Sequence, residues 1–160
     1  MEVKGAEVDN ILRDKIKLYE HLGITIVEIN SHKAHFHVSL EKNLNHKGTA
    51  FGGSLYATGV MAAYALVLAG LKHYQISTDN IVISKGEISY LRPVDTDFDV
   101  IASFPYADDE EAFYNEIKTR KRAKKTVKVQ ILAGGGEGNA VADRDGSLKA
   151  SLSGVFVVNA

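Results

Sequence analysis

Hydrophobic and polar residues follow two periods along the chain, separated by one stretch that is apolar throughout. Apolar residues recur at helical spacing over residues 7–22, and Gly23 is well placed to end that helix. Residues 110–119 predict a short helix. Strands are predicted over residues 24–29, 32–40, 81–91, 97–104, 125–132 and 148–158. Gly86, inside one of these strands, indicates a bulge or a close backbone approach.

The apolar stretch covers residues 51–71, contains no charged side chain and is long enough to cross a membrane. It is also interrupted by glycines, two tyrosines, Ser54 and Thr58. A helix that is apolar on all sides is equally typical of one enclosed by a sheet. We therefore predict a central buried helix and no membrane insertion. The fold class is α+β, with an antiparallel sheet curled around that helix.

The segment that leads into this helix is the best candidate for a site. It changes from polar, flexible residues to apolar ones at Phe51, Gly52 and Gly53. The start of a helix presents unpaired N–H groups and the positive end of the helix dipole. Two glycines without a Cβ allow a ligand oxygen to approach these groups, which is the geometry of an oxyanion hole. The alternative is a glycine pair that only allows tight helix packing.

A longer motif surrounds the glycines. The spacing Asn45-x-x-Gly48-x-x-Phe51-Gly52-Gly53, with Tyr-Leu-Arg-Pro-Val at 90–94, resembles the hotdog superfamily, in which many thioesterases carry Asn-x-x-Gly-x-x-His-Gly-Gly. The resemblance extends from about residue 22 to the end of the chain. The motif is most similar to a hotdog family of thioesterase type that is also found fused behind an acetyltransferase domain. Some members of that family decarboxylate malonyl-acyl carrier protein.

The resemblance implies a hotdog fold and an enzyme that acts on an acyl thioester of phosphopantetheine. The substrate would be acyl-coenzyme A or an acyl group on acyl carrier protein, and no further cofactor is expected. The motif loop would lie at the interface of a homodimer or a dimer of dimers. Thioester hydrolysis is the expected reaction, with malonyl-carrier decarboxylation as the alternative. A non-catalytic acyl-thioester binder is a third possibility.

Side chains around the glycines are assigned as follows. The Asn45 amide can donate to a carbonyl oxygen or position a water, although an Asx-turn that holds the loop is the alternative. Ser54 has no neighbouring base in the sequence, so a hydrogen bond in the first turn or a substrate contact is favoured over nucleophilic attack. The predicted catalytic residues are Asn45, Gly53 and Ser54. The predicted substrate-binding residues are Asn43, Thr49, Phe51, Gly52 and Tyr56.

Two departures from the family pattern affect the expected reaction. Phe51 stands where many hotdog thioesterases have His, and residues 52–71 contain no Asp or Glu. Hydrolysis therefore lacks its usual activator of water. Decarboxylation of a malonyl thioester needs no general base, so these departures favour it. Asp79, Glu87 or Glu116 could still be supplied across a dimer interface.

Composition and charge narrow the remaining choices. The 160 residues fit a single domain, 1–160, in which residues 1–23 form a covering helix. A net charge of −1 argues against nucleic acid as a partner. There is no cysteine, and the first residues are polar without an apolar signal core, so we expect a cytoplasmic protein.

Other polar clusters are weaker candidates. His35 and His37 share a strand face and could ligate a metal, but a solvated face is favoured and we predict no metal site. His46 is a possible proton shuttle in an exposed loop. Residues 134–138 lack the spacing of a nucleotide-binding loop. The basic run includes Arg120, Lys121 and Arg122, which form a solvated face or dock an acidic carrier protein or a coenzyme A phosphate.

Overall fold

The computed structural model describes residues 3–134 and 147–160, which form three α-helices and six strands. The helices are α1 (Gly5–Lys15), α2 (Gly52–His73) and α3 (Asp109–Arg120), with 3-10 turns at Tyr19–His21 and Glu41–Asn43. The strands are β1 (Ile24–Ile29), β2 (Lys33–Val38), β3 (Ile81–Tyr90), β4 (Phe98–Ser103), β5 (Arg122–Leu132) and β6 (Leu148–Asn159).

All six strands belong to one antiparallel sheet with the order β1-β2-β4-β5-β6-β3. β1 and β3 are therefore the two edge strands. The register of β3 against β6 shifts between Ile83 and Lys85, and Gly86 then pairs with Gly154. The irregularity predicted at Gly86 is thus present just before it.

The central helix is α2, and the sheet curls around it. α2 contacts every strand of the sheet, and its middle residues, such as Ala63 and Leu66, are completely buried. α2 is long and apolar enough to cross a membrane, but 72% of its most hydrophobic window is buried inside the protein, as in the core helix of a soluble protein. The α+β architecture expected from the sequence is confirmed.

The helix predicted over residues 7–22 is wrong in its length. α1 ends at Lys15 because Ile16 takes an extended backbone conformation, with φ −121° and ψ 103°. The chain then reverses and buries Tyr19, whose hydroxyl donates to Asp9 Oδ1 of α1 at 2.5 Å. Val8 and Leu12 of α1 belong to the same hydrophobic core as α2. The N-terminal helix therefore covers the domain as predicted, in a shorter form.

The other elements differ from prediction by a few residues at most. The largest difference is in β5, which begins at Arg122 rather than at 125. Ala123 pairs with Val158 and is buried, while Arg122 and Lys124 on either side of it are exposed. Most of the glycine-rich stretch at 134–138 lies outside the described residues.

Candidate active site at the start of the central helix

The first turn of α2 leaves two backbone donors without a partner. Phe51 is the residue before the helix, and its carbonyl accepts from Ser54 N–H at 2.9 Å and Leu55 N–H at 3.1 Å. No described residue accepts a hydrogen bond from the N–H of Gly52 or Gly53, and no side chain caps the helix. Both groups stand at the positive end of a 22-residue helix. This is the donor pair that the sequence predicted.

Aromatic rings flank both glycines. The Phe51 ring folds onto Gly53, where a Cβ would lie 2.6 Å from the ring atom Cε2. The Tyr90 hydroxyl donates to the Gly52 carbonyl at 2.9 Å, and its ring lies 3.5 Å from the position of a Cβ on Gly52. Phe51 and Tyr90 are each more than half exposed. Two apolar rings thus border the free N–H groups without burying them.

Tyr90 was not among the predicted site residues. It belongs to the quoted stretch 90–94, but its contact with Gly52 depends on how β3 packs against α2. The signal in the sequence was its position in a strand, on the same face as Gly86 and Ile88.

The motif loop is held by the Asn45 side chain. Asn45 Oδ1 accepts from Lys47 N–H at 2.8 Å and Thr49 N–H at 3.1 Å, and Nδ2 donates to Thr49 Oγ1 at 2.8 Å. Gly48 completes this turn at φ 80°, a conformation that favours glycine. Both ends of the Asn45 amide are therefore used inside the loop, as in the Asx-turn alternative. A direct role of Asn45 or Thr49 in chemistry stays a prediction.

Asn43 anchors the same loop from below. Its side chain is 3% exposed, and Nδ2 donates to the carbonyls of Leu22 and Ser39 at 2.8 Å each. Its backbone carbonyl accepts from Phe51 N–H at 2.7 Å. Asn43 Oδ1 has no hydrogen-bond partner among the described residues. These contacts support a structural role, and contact of Asn43 with substrate stays a prediction.

Ser54 and Tyr56 lie in the first two turns of α2. The Ser54 hydroxyl forms no hydrogen bond within the described part of the chain, while its carbonyl accepts from Thr58 Oγ1 at 2.8 Å. No Asp, Glu or His in the described ranges is hydrogen-bonded or ion-paired to residues 43–58. Ser54 therefore has no base to activate it. The Tyr56 ring reaches across to Gly86 of β3.

The three acidic residues considered above lie away from this helix start. Glu87 is exposed on β3 and paired with Lys85 at 3.2 Å, and Glu116 lies on α3. Asp79 comes just before β3, near the far half of α2. Burial and the Asp79 charge raise the pKa of the Tyr64 hydroxyl, which places that carboxylate within electrostatic range of Tyr64. None of the three stands beside Gly52 in the same chain.

The histidines on β2 are paired with carboxylates. His35 Nε2 lies 3.0 Å and His37 Nδ1 3.2 Å from Asp99 Oδ1, and His37 Nε2 lies 3.6 Å from Asp97 Oδ2. Within residues 3–134 and 147–160, no group of three or more His, Asp or Glu residues has the geometry to hold a metal. His46 is exposed in the motif loop.

The predicted docking residues lie at the opposite end of the domain. Arg120, Lys121 and Arg122 are exposed where α3 ends and β5 begins. Arg122 pairs with Asn159, whose N–H donates to Asn80 beside the first residue of β3. Gly52 instead contacts Tyr90, the last residue of β3. The two ends are separated by the length of α2, about 33 Å at 1.5 Å per residue.

Solved structures share this architecture across almost the whole chain. A protein of unknown function from Chlorobaculum tepidum superposes with a TM-score of 0.86 at 21% identity, covering 97% of this chain and 93% of its own. A putative thioesterase from Shewanella oneidensis gives 0.76 at 20% identity, covering 98% and 97%. A probable thioesterase from Pseudomonas aeruginosa gives 0.74 at 17% identity, covering 99% and 97%. At these identities the similarity shows the fold, which is the hotdog fold.

The sequence comparison extends over the same region. A search of curated proteins finds no match. A family model described as "Putative thioesterase (yiiD_Cterm)" matches residues 5–159. Since this match covers nearly the entire chain, the protein belongs to that thioesterase-like hotdog family.

Proposed function

We propose that the protein hydrolyses an acyl thioester of phosphopantetheine, carried on acyl carrier protein or coenzyme A. The observation that supports this proposal is the pair of unpartnered N–H groups at Gly52 and Gly53. The thioester oxygen accepts hydrogen bonds from these groups, which strengthen as negative charge develops on it. The exposed rings of Phe51 and Tyr90 provide apolar walls for the acyl group. The reaction requires no cofactor beyond the phosphopantetheine of the substrate.

A homodimer completes this site in our proposal. β3 is a sheet edge that exposes the apolar side chains of Val82, Ile83 and Tyr90. A two-fold axis at this edge pairs β3 with its copy in an antiparallel arrangement. The Ile81 end of one subunit then lies beside the Tyr90 end of the other. Asp79 and the basic residues 120–122 of one subunit are thereby brought towards Gly52 of its partner.

This arrangement supplies the base that hydrolysis needs. The partner subunit's Asp79 would accept a proton from the attacking water. Asp79→Asn should then abolish hydrolysis, whereas Glu87→Gln, a matched change on the outer part of β3, should not. Equal hydrolysis by Asp79→Asn and wild type would exclude Asp79 as the base. Sedimentation at assay concentration checks the dimer itself.

Decarboxylation of a malonyl thioester is the second candidate, and the absence of acidic residues from α2 favours it. The bond between Cα and the carboxylate carbon breaks, carbon dioxide leaves, and the electron pair forms an enolate whose oxygen binds the two N–H groups. A proton from water then gives the acetyl thioester. The step that releases carbon dioxide requires no general base.

Mass spectrometry of the carrier distinguishes these reactions. Purified protein is incubated with malonyl-acyl carrier protein and, separately, with a medium-chain acyl-acyl carrier protein. Appearance of the free carrier thiol supports hydrolysis, and conversion of malonyl-carrier to acetyl-carrier supports decarboxylation. Stable binding of both substrates without any change in mass would identify a non-catalytic binder and refute both enzymatic proposals.

The basic residues 120–122 are the proposed docking surface for an acidic carrier protein. Reversing the charges of Arg120, Lys121 and Arg122 should raise KM for acyl-carrier in a salt-dependent way, because exposed charges are screened by salt. Lys128→Glu on β5 serves as a control of equal sign. Unchanged KM for acyl-carrier in the triple variant would exclude this surface as the dock.

Mixed dimers test whether the dock serves the partner's site. One subunit carries Gly52→Pro and the other carries the triple charge reversal. If docking acts across the dimer, the intact site is served by the intact basic surface and the mixed dimer is active on acyl-carrier. If docking acts within one chain, the mixed dimer is inactive.

A further inference from the structure

Tyr56 closes the space between α2 and β3 one helical turn beyond the free N–H groups. Its hydroxyl occupies the volume that a Cβ on Gly86 would require. Gly86 pairs directly with Gly154 on β6, so two adjacent glycines leave a hollow in the inner face of the sheet. The tip of the Tyr56 ring fills this hollow. Tyr56 forms no hydrogen bond within the described residues, so a polar network does not explain its placement.

The seam between α2 and β3 is short on the side that begins at Gly52. At this end Tyr90 is bonded to the Gly52 carbonyl. From Gly52 to Tyr56 the helix advances four residues, about 6 Å. From Tyr90 to Gly86 the strand covers four residues, about 13 Å. Ile88 is the inward-facing residue between them. The seam therefore has a wall at each end and an apolar floor.

A thioester whose oxygen lies at Gly52 and Gly53 directs its acyl group into this seam. A short acyl group fits between Tyr90 and Tyr56, whereas a longer chain meets the Tyr56 ring. We infer that Tyr56 is the end wall of the acyl site and restricts the protein to short acyl groups. This inference rests on the proposed function and names the substrate class of the same site.

Binding of non-hydrolysable acyl-coenzyme A thioethers tests the inference whichever reaction the protein performs. The acyl series is acetyl, butanoyl, octanoyl and dodecanoyl. Wild type should bind the two shorter analogues more tightly than the two longer ones. Tyr56→Ala should raise the affinity for octanoyl relative to acetyl by about tenfold or more, because the removed wall admits further methylene groups. Tyr56→Phe, which retains the ring, should keep the wild-type order.

Gly86→Ala provides an independent test that leaves Tyr56 in place. The added methyl group occupies the volume of the Tyr56 hydroxyl and should push the ring into the seam, which lowers the affinity for butanoyl relative to acetyl. Adding Tyr56→Phe removes the overlapping oxygen and should restore the wild-type ratio. If Tyr56→Ala does not fold, Tyr56→Leu gives the same comparison with a smaller opening.

The outcomes separate the wall from the proposed function. If wild type binds the analogues but the octanoyl-to-acetyl ratio is unchanged in folded Tyr56→Ala or Tyr56→Leu, the acyl group lies elsewhere and the inference is overturned. An unchanged butanoyl-to-acetyl ratio in Gly86→Ala also overturns it. If wild type binds none of the analogues and turns over no thioester, the proposed function fails together with the inference.

Discussion

Replacing Gly52 by proline removes one predicted oxyanion donor with little other change. Gly52 is the first residue of α2, a position where proline is favoured and where its N–H has no partner among the described residues. Phe51 has φ −63° and ψ 134°, the conformation that a residue before proline requires. A Cβ at Gly52 makes only an ordinary contact with Tyr90, at 3.5 Å. Gly52→Pro should therefore fold normally and gain about 0.4–1 kcal/mol of stability from a stiffer unfolded chain.

The catalytic effect should be large by comparison. Loss of one oxyanion donor typically lowers kcat by about 10²–10³-fold, or about 3–4 kcal/mol. Gly52→Ala is the matched control, because it adds the same Cβ and retains the N–H. The assay is steady-state turnover of an acyl thioester by both variants, with urea unfolding to verify their stability. If kcat of Gly52→Pro equals that of Gly52→Ala, the Gly52 N–H does not stabilise the transition state.

Three further changes test the loop and the core. Thr49→Val frees Asn45 Nδ2 but leaves its Oδ1 bonds intact, so if the amide donates to substrate, activity should persist in Thr49→Val and be lost in Asn45→Ala; full activity of folded Asn45→Ala would refute that role. Gly70→Ala places a methyl group on the buried Tyr114 ring, and the overpacking cost of about 3 kcal/mol exceeds the helix gain of about 1 kcal/mol, so urea unfolding should show a loss of about 2 kcal/mol; equal stability would contradict this packing. Burial, and then the hydrogen bond to a carboxylate, raise the pKa of Tyr74 to about 12, so its contribution to stability is complete below about pH 10 and is lost as the pH rises to about 12. Tyr74→Phe should reduce the loss of unfolding free energy in that window, and an unaltered pH profile would argue against it.

The start of the central helix was predictable because local signals agree there. The polar loop, the glycine pair and the uncharged run all indicate a helix that begins at Gly52, where the structure places it. The predicted helix over residues 7–22 fails for the opposite reason. Its apolar spacing continues through Tyr19, but the burial of Tyr19 against Asp9 is a tertiary contact that outweighs the local pattern.

The walls of the site could be predicted only in part. Gly86 was recognised as a place of close approach, but the approaching group, Tyr56, depends on the register of β3 against β6 and on the position of α2. The contact of Tyr90 with Gly52 joins residues 38 positions apart and has no local signal. Contacts of this kind follow from the assembled sheet, so the sequence pattern supplies the participants without the pairing.

The described site places its chemistry on the backbone rather than on side chains. The Asn45 amide is used within its own loop, Asn43 is bonded beneath it, and Ser54 has no base. What remains for a ligand is the pair of N–H groups at Gly52 and Gly53, which stabilise an anion and transfer no proton. Decarboxylation requires only this stabilisation to release carbon dioxide, whereas hydrolysis also requires a group that accepts a proton from water. One chain therefore has the described elements for the first reaction, and hydrolysis depends on a proton acceptor that a second subunit brings to the same helix start.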